Sequence, residues 1–372
     1  MRILLVCLHD VLPFAITNVL NPANEYCAIV TDEIESVRNF LPGAKNIIHQ
    51  FYELKECLEN FHYDCVISIQ DVKNYEAITK CFKYCKLPAN KLVTVGSINL
   101  PDNFLLRETL LYYEKHASEF KIFSTGMSYT SYGLNFYQFK SGMINFGYAS
   151  QDLYYDYQLA KHIITPVGGL RYALIGLAPY SVHYDLSKTF SAGIFKYFVA
   201  LNDLHNFWLP IEKYQNLFRA EYLSLRLQTG DSDMRRIYFE SNGKAMNFED
   251  RINARENIDM WKDKNYPETL AENIKILDDY LTLCEKNNIR PIIYLPPCSE
   301  CYTKYFCRTK LEEFYYLIDS AMKKHSSTVF VDGWKLPGFS DDDFYDAFHM
   351  NIQGSAKFSA ILNDFIEQLE NN

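Results

Sequence analysis

The chain has 372 residues, room for two domains at about 100–200 residues each. Hydrophobic residues make up 48% and charged residues 22%, a balance that excludes disordered, collagen-like and coiled-coil chains. A formal net charge of −9 excludes a general nucleic-acid binder, which needs a basic stripe to neutralise phosphates.

The first twenty residues, MRILLVCLHDVLPFAITNVL, are broken by His9, Asp10 and Pro13, and no small-residue cleavage site follows. They predict a buried strand at 2–7 in place of an export leader. Nowhere does the chain reach the roughly 18 unbroken apolar residues that a membrane span requires. Ten cysteines without a leader point to a reducing, cytoplasmic setting, where thiols serve as small core residues.

Residues 1–102 alternate short apolar runs with polar helical stretches. Strands are predicted at 2–7, 26–31, 64–69 and 92–95, with a weaker one at 46–49. This is the pattern of a parallel sheet covered on both faces, and it predicts a Rossmann-like α/β domain. The loop after the first strand, 8–13, has no glycine, and Gly43 is the only glycine between residues 1 and 95. A pyrophosphate needs glycines there so that backbone N–H groups can approach it. The domain is therefore assigned to packing, or to contact with a protein partner or a second copy. No cofactor is expected.

Residues 103–119 predict a linking helix, with Leu105, Leu106, Leu110, Leu111 and Tyr113 on its apolar side. Strands then resume at 120–123, 143–146, 172–178, 291–295 and 328–332. Five strands separated by helical stretches predict a second three-layer α/β domain, 120–372, on a parallel sheet. An excursion at about 180–290 separates its third and fourth strands. It is rich in Tyr, Phe and Leu and reads as a mostly helical cap over the sheet's carboxyl edge, with one strand signal at 236–240.

Ligands of open α/β sheets sit beyond the carboxyl ends of the strands. Gly126-Met127-Ser128 follows the first strand of the second domain, with Gly133 five residues on. Gly126 permits a tight turn, and the N–H groups that open a helix at Ser128 suit a developing oxyanion. After the last strand comes Asp346-x-x-His349. That spacing lets Asp346 accept from one imidazole nitrogen and leaves the other free to take a proton, the base-and-orienter half of a nucleophilic triad. Taken separately, Ser128 reads first as a helix cap and Asp346 as a loop cap.

Together these segments resemble the first and last blocks of SGNH (GDSL-type) hydrolases, and the resemblance covers 120–372. Asn145-Phe146-Gly147 resembles the second block, and 176–181 occupies the place of the third. Leu295-Pro296-Pro297 and 349–354 are similar to divergent members that resemble acyltransferases of surface polysaccharides and teichoic acids. The resemblance implies a flavodoxin-like fold with Ser128 as nucleophile, His349 as base and Asp346 as its orienter. The N–H groups of Ser128 and Gly147 would be oxyanion donors. Two positions depart from the pattern: Met127 stands where the family has Asp, and the third-block Asn has no counterpart. Pro179 has no N–H, so Tyr180 and Ser181 are the substitutes at that edge, with His183 a further candidate for substrate contact.

Cys298, Cys301 and Cys307 have C-x2-C-x5-C spacing and no fourth partner, so no metal is expected. The acidic run Asp341-Asp342-Asp343 predicts a solvated loop. The expected activity is ester hydrolysis or O-acyl (acetyl) transfer on a small-molecule or carbohydrate substrate in surface-polysaccharide assembly. The rival expectation is a weakly active or inactive relative that binds a glycan or a protein.

Overall fold

A computed structural model describes residues 2–8, 25–69, 75–88, 91–95, 100–164, 169–189, 245–247, 249–252 and 265–371, with single positions between 197 and 258. The protein is α/β and carries two five-stranded sheets. It divides into two compact units, Met1–Arg107 with Leu186–Gln228, and Glu108–Asp185 with Thr229–Asn372. The excursion expected at about 180–290 is thus shared between the units, and its strand signal at 236–240 lies outside the described residues.

In the first unit, β1 (Arg2–Cys7), β2 (Glu25–Thr31), β3 (Ile48–Gln50), β4 (Cys65–Ile69) and β5 (Leu92–Val95) are all parallel, in the order β3-β2-β1-β4-β5. Helices α1 (Ile34–Phe40), α2 (Leu54–Asn60) and α3 (Tyr75–Tyr84) lie between them in sequence. Leu54 and Leu58 of α2, with Ile78 and Phe82 of α3, are spaced one turn apart and pack against Leu4, Val6 and Val30. Each such burial contributes about 1.5–3 kcal/mol. The cysteines here are core residues: burial pushes the Cys7 and Cys65 thiols up to about 12.

Helix α4 (Leu100–His116) follows, and the division between the units falls within it. Its second half belongs to the second unit, where Tyr113 donates to the Ile163 carbonyl at 3.0 Å.

The second sheet comprises β6 (Ile122–Gly126), β7 (Met143–Gly147), β8 (Tyr172–Gly176), β9 (Arg290–Leu295) and β10 (Val329–Asp332). All pairs are parallel, and the order is β10-β9-β8-β6-β7. The first strand runs 122–126, not the expected 120–123. Polar Ser124 and Thr125 can continue it because each finds a partner: Ser124 Oγ donates to Asn145 Oδ1 at 2.9 Å, and Thr125 Oγ1 lies 3.0 Å from Tyr280 Oη. Its helices are α5 (Ser128–Gly133), α6 (Leu153–Ile163), α7 (Pro267–Lys286), α8 (Glu300–Thr303), α9 (Arg308–Lys324) and α10 (Ile352–Asn371). Phe358, Leu362 and Ile366 of α10 cover one sheet face at Ile122, Leu174 and Ile292. The Thr125–Tyr280 contact puts α7 on the other, since alternate strand residues face opposite ways. Among the described residues no helix is long and apolar enough to cross a membrane.

Candidate active site

The strand order changes direction at β6. The chain goes to β7 on one side and then to β8 on the other, which makes the carboxyl end of β6 the switch point where doubly wound sheets hold ligands. Gly126 ends β6 with φ +142°. Gly147 and Gly176 stand in register with it on β7 and β8. A Cβ at Gly126 would lie 2.2 Å from Thr130 Oγ1, at Gly147 2.6 Å from Thr130 Cγ2, and at Gly176 2.1 Å from Thr130 Oγ1. Three side-chain-free strand ends thus form a floor on which the first turn of α5 rests. Tyr294 of β9 anchors it there, its Oη 2.7 Å from Thr130 Oγ1. Ser128 is the first residue of that helix, and its backbone N–H has no carbonyl one turn back to bond.

The histidine comes from the loop before α10. Asn351 holds this loop: its Oδ1 accepts from the N–H groups of Gln353 and Gly354 at 3.0 and 3.1 Å, and its Nδ2 donates to the Asp342 carbonyl at 2.7 Å. Asp343 departs from the expected solvated run. It is buried and pairs with Lys357 at 2.7 Å, while Asp341 pairs with Arg251 at 3.2 Å. Tyr345 N–H donates to the His349 carbonyl at 2.8 Å and closes the loop.

The loop brings the three expected residues together. Asp346 Oδ2 is 2.8 Å from His349 Nδ1, and His349 Nε2 is 2.8 Å from Ser128 Oγ. An ionised carboxylate can only accept, so Nδ1 carries the hydrogen and Nε2 accepts from the serine hydroxyl. Asp346 Oδ1 also accepts from the N–H groups of Phe348 at 3.0 Å and His349 at 2.8 Å. Burial alone would raise the Asp346 pKa. The hydrogen bond and charge of His349, with the two N–H donors, outweigh it and hold the carboxyl below its ordinary value. The His349 ring lies among Phe348, Tyr132 and Tyr129, with centroids at 4.5, 5.0 and 5.3 Å. This arrangement can move a proton from a hydroxyl to an imidazole.

The remaining expected site residues have partners of their own. Gly147 N–H is not free for an oxyanion, because it donates to Asn145 Oδ1 at 2.8 Å. Ser181 is spent on its own turn, its Oγ accepting from Ala178 N–H at 3.0 Å. His183 Nε2 sits 2.8 Å from Glu313 Oε2 and 3.1 Å from Lys310 Nζ, both on α9. Asn273 of α7 holds this loop by donating to the Val182 and Tyr184 carbonyls at 3.1 and 3.0 Å. Tyr180 does lie beside the turn that carries Ser128. Its hydroxyl donates to Met127 Sδ at 3.2 Å and lies 3.0 Å from Tyr129 Oη, so it is a buried wall. Cys298 packs near that wall, and burial raises its thiol pKa. Cys301 and Cys307 instead contact Ser299 and Thr309.

Sequence reasoning missed Thr130, Tyr294, Asn145 and Asn351. The signal that could have found the first two is glycine at the ends of three neighbouring strands. A cleft of about 380 Å³ between α7 and α9, lined by Val182, Leu277, Leu317 and His325, contains none of the three relay residues. No protein-family model matches the sequence, and no curated protein matches it.

Proposed function

We propose that the protein is a serine-dependent ester hydrolase or O-acyltransferase of the SGNH type, acting through an acyl-enzyme on Ser128. The observation that carries this reading is the unbroken relay Ser128–His349–Asp346 at the switch point of the second sheet. In the reaction, His349 Nε2 takes the Ser128 proton as Oγ bonds to the ester carbonyl carbon. The C–O bond to the leaving alcohol then breaks, and His349 returns the proton to that alcohol. Water or an acceptor hydroxyl next adds to the acyl-enzyme, with His349 again as base, and Ser128 is released. Asp346 orients the ring and offsets the imidazolium charge. Ser128 N–H is the oxyanion donor in this reading.

The part of 120–372 that falls in the second unit is read as a flavodoxin-like SGNH domain, with α4 as a linker and 1–102 as a Rossmann-like module for a protein partner. Half-buried Tyr132 beside His349 offers a ring face to a carbohydrate O-acyl group. The setting proposed is cytoplasmic, in surface-polysaccharide assembly.

A fluorophosphonate probe tests the nucleophile. The wild-type chain should be labelled on Ser128, and Ser128→Ala should lose the label entirely. Label that persists in Ser128→Ala would remove the assignment.

One observation favours a second reading, a weakly active or inactive SGNH-like protein that binds a glycan or a partner. With Gly147 N–H tied to Asn145 and no third-block Asn, two of the oxyanion donors usual in the family are missing, and each can be worth about 10²–10³ in rate. A glycan bound equally well by the wild type and by His349→Ala, with no turnover in either, would select it.

A further inference from the structure

Asp156 is one of the buried acids that the relay does not use. Asp156 lies on α6, which Asp152 caps by accepting from Tyr155 N–H at 3.0 Å. Asp156 is 2% exposed. Gln151 Nε2 donates to Asp156 Oδ1 at 2.6 Å and also to the Phe146 carbonyl at 2.8 Å. Through Gln151, Asp156 therefore braces the end of β7, the strand in register with β6 at Gly126. Tyr148 N–H takes the Gly126 carbonyl at 3.1 Å. The carbonyl of the residue whose positive φ makes the turn, two residues before Ser128, is thus gripped by the segment that Gln151 and Asp156 hold in place.

We propose that Asp156 is a positioning residue for the nucleophile, holding the Gly126–Met127 turn so that Ser128 Oγ stays within reach of His349 Nε2. The kinetic part of this inference rests on the esterase reading. Among the described residues, the titratable groups acting on Asp156 are Asp152 at the cap of its own helix, Tyr280 from α7 and Tyr294 from β9, none of them a cation. Burial pushes the carboxyl well above its ordinary range, against the pull of the Gln151 bond. The folded pKa lies above the unfolded one, so the folded state holds the extra proton. The stability Asp156 confers is full at acid pH and is lost as pH rises through its folded pKa. A charge placed there meets no counter-ion, and the turn loosens.

The test compares the full-length wild type with Asp156→Asn, which mimics the neutral acid, and Asp156→Leu, which removes the bond to Gln151. The readouts are p-nitrophenyl acetate turnover across pH and urea unfolding across pH. In Asp156→Leu, kcat should fall about 10–10²-fold with KM unchanged, the signature of a displaced reacting group. Asp156→Asn should turn over near the wild-type rate below the folded pKa of Asp156, lack the fall in kcat that the wild type shows as pH rises through that pKa, and gain stability relative to the wild type as pH rises. A wild-type pH profile in Asp156→Asn, or an unchanged kcat in Asp156→Leu, overturns the proposal. If the wild type shows no turnover and no serine label, the esterase reading falls. The unfolding curves still decide Asp156, because a stability difference flat in pH overturns its part.

Discussion

The two sheets have the same strand count and direction, and both are buried on two faces, but their strand ends differ. In the first, β1, β2, β3, β4 and β5 end at Cys7, Thr31, Gln50, Ile69 and Val95. In the second, β6, β7 and β8 end at Gly126, Gly147 and Gly176, in register. A side chain at a strand end keeps the next helix away from the sheet. Three adjacent glycines let the first turn of α5 settle on the backbone and deliver a serine to the switch point. What separates the first sheet from one that can seat a serine beside a histidine is a few missing Cβ atoms.

The largest test of that comparison leaves the packing alone. Asp346→Asn keeps shape and volume but presents an amide N–H₂ to His349. The ring must then accept at Nδ1 and carry its hydrogen on Nε2, so it can no longer take a proton from Ser128. Acylation, followed as the rate of fluorophosphonate labelling, should fall about 10⁴-fold with the unfolding midpoint little changed. A small effect would mean that the glycine floor, and not the relay, makes the serine reactive.

The second test gives the glycine-ended sheet a side chain like those of the other. In Gly176→Ala the new Cβ meets Thr130 Oγ1 at 2.1 Å and Tyr294 Oη at 2.6 Å. Overpacking of this kind costs about 1–3 kcal/mol. Urea unfolding should report that loss, and labelling should slow because Thr130 shares a helical turn with Ser128. Adding Thr130→Ala removes the nearer clash, so the double variant should lose less than the two singles summed. Strict additivity would show that Thr130 does not rest on Gly176.

Much of this was legible in the sequence, and the misses share a cause. The strands at 2–7 and 92–95 match residue for residue because they are apolar runs bounded by polar ones. Ser128, Asp346 and His349 were legible because each half of the relay is local: G-x-S fits one turn, and D-x-x-H lies within one loop. Gly147 was assigned a free N–H because nothing local reveals that the Asn145 side chain folds back onto it. Asp343 was taken for a solvated charge because its partner, Lys357, arrives 14 positions later on α10. His183 went to Glu313 and Lys310, about 130 positions away. Local spacing reports which groups can meet within a turn, and tertiary contact decides which of them are already spent.

The smallest effect comes from a place where charge acts with little help from packing. His325, at the end of α9, has Nε2 2.9 Å from Asp278 and Nδ1 3.0 Å from Glu285, both on α7. Burial alone would lower its pKa, but the two carboxylates outweigh that and raise it. The folded pKa exceeds the unfolded one, so the staple's contribution is full below the unfolded value of about 6.5 and fades as pH rises through the folded value. At the acid end Asp278 and Glu285, whose folded pKa values are lowered, lose their contribution as pH falls through those values. The carboxylates are 31% and 34% exposed, and solvent screening limits the whole staple to about 0.5–1 kcal/mol. His325→Gln should therefore destabilise most near pH 5–6 and hardly at all at alkaline pH, read as the difference between two urea unfolding series. An equal loss at every pH would mean that His325 joins α7 and α9 by packing.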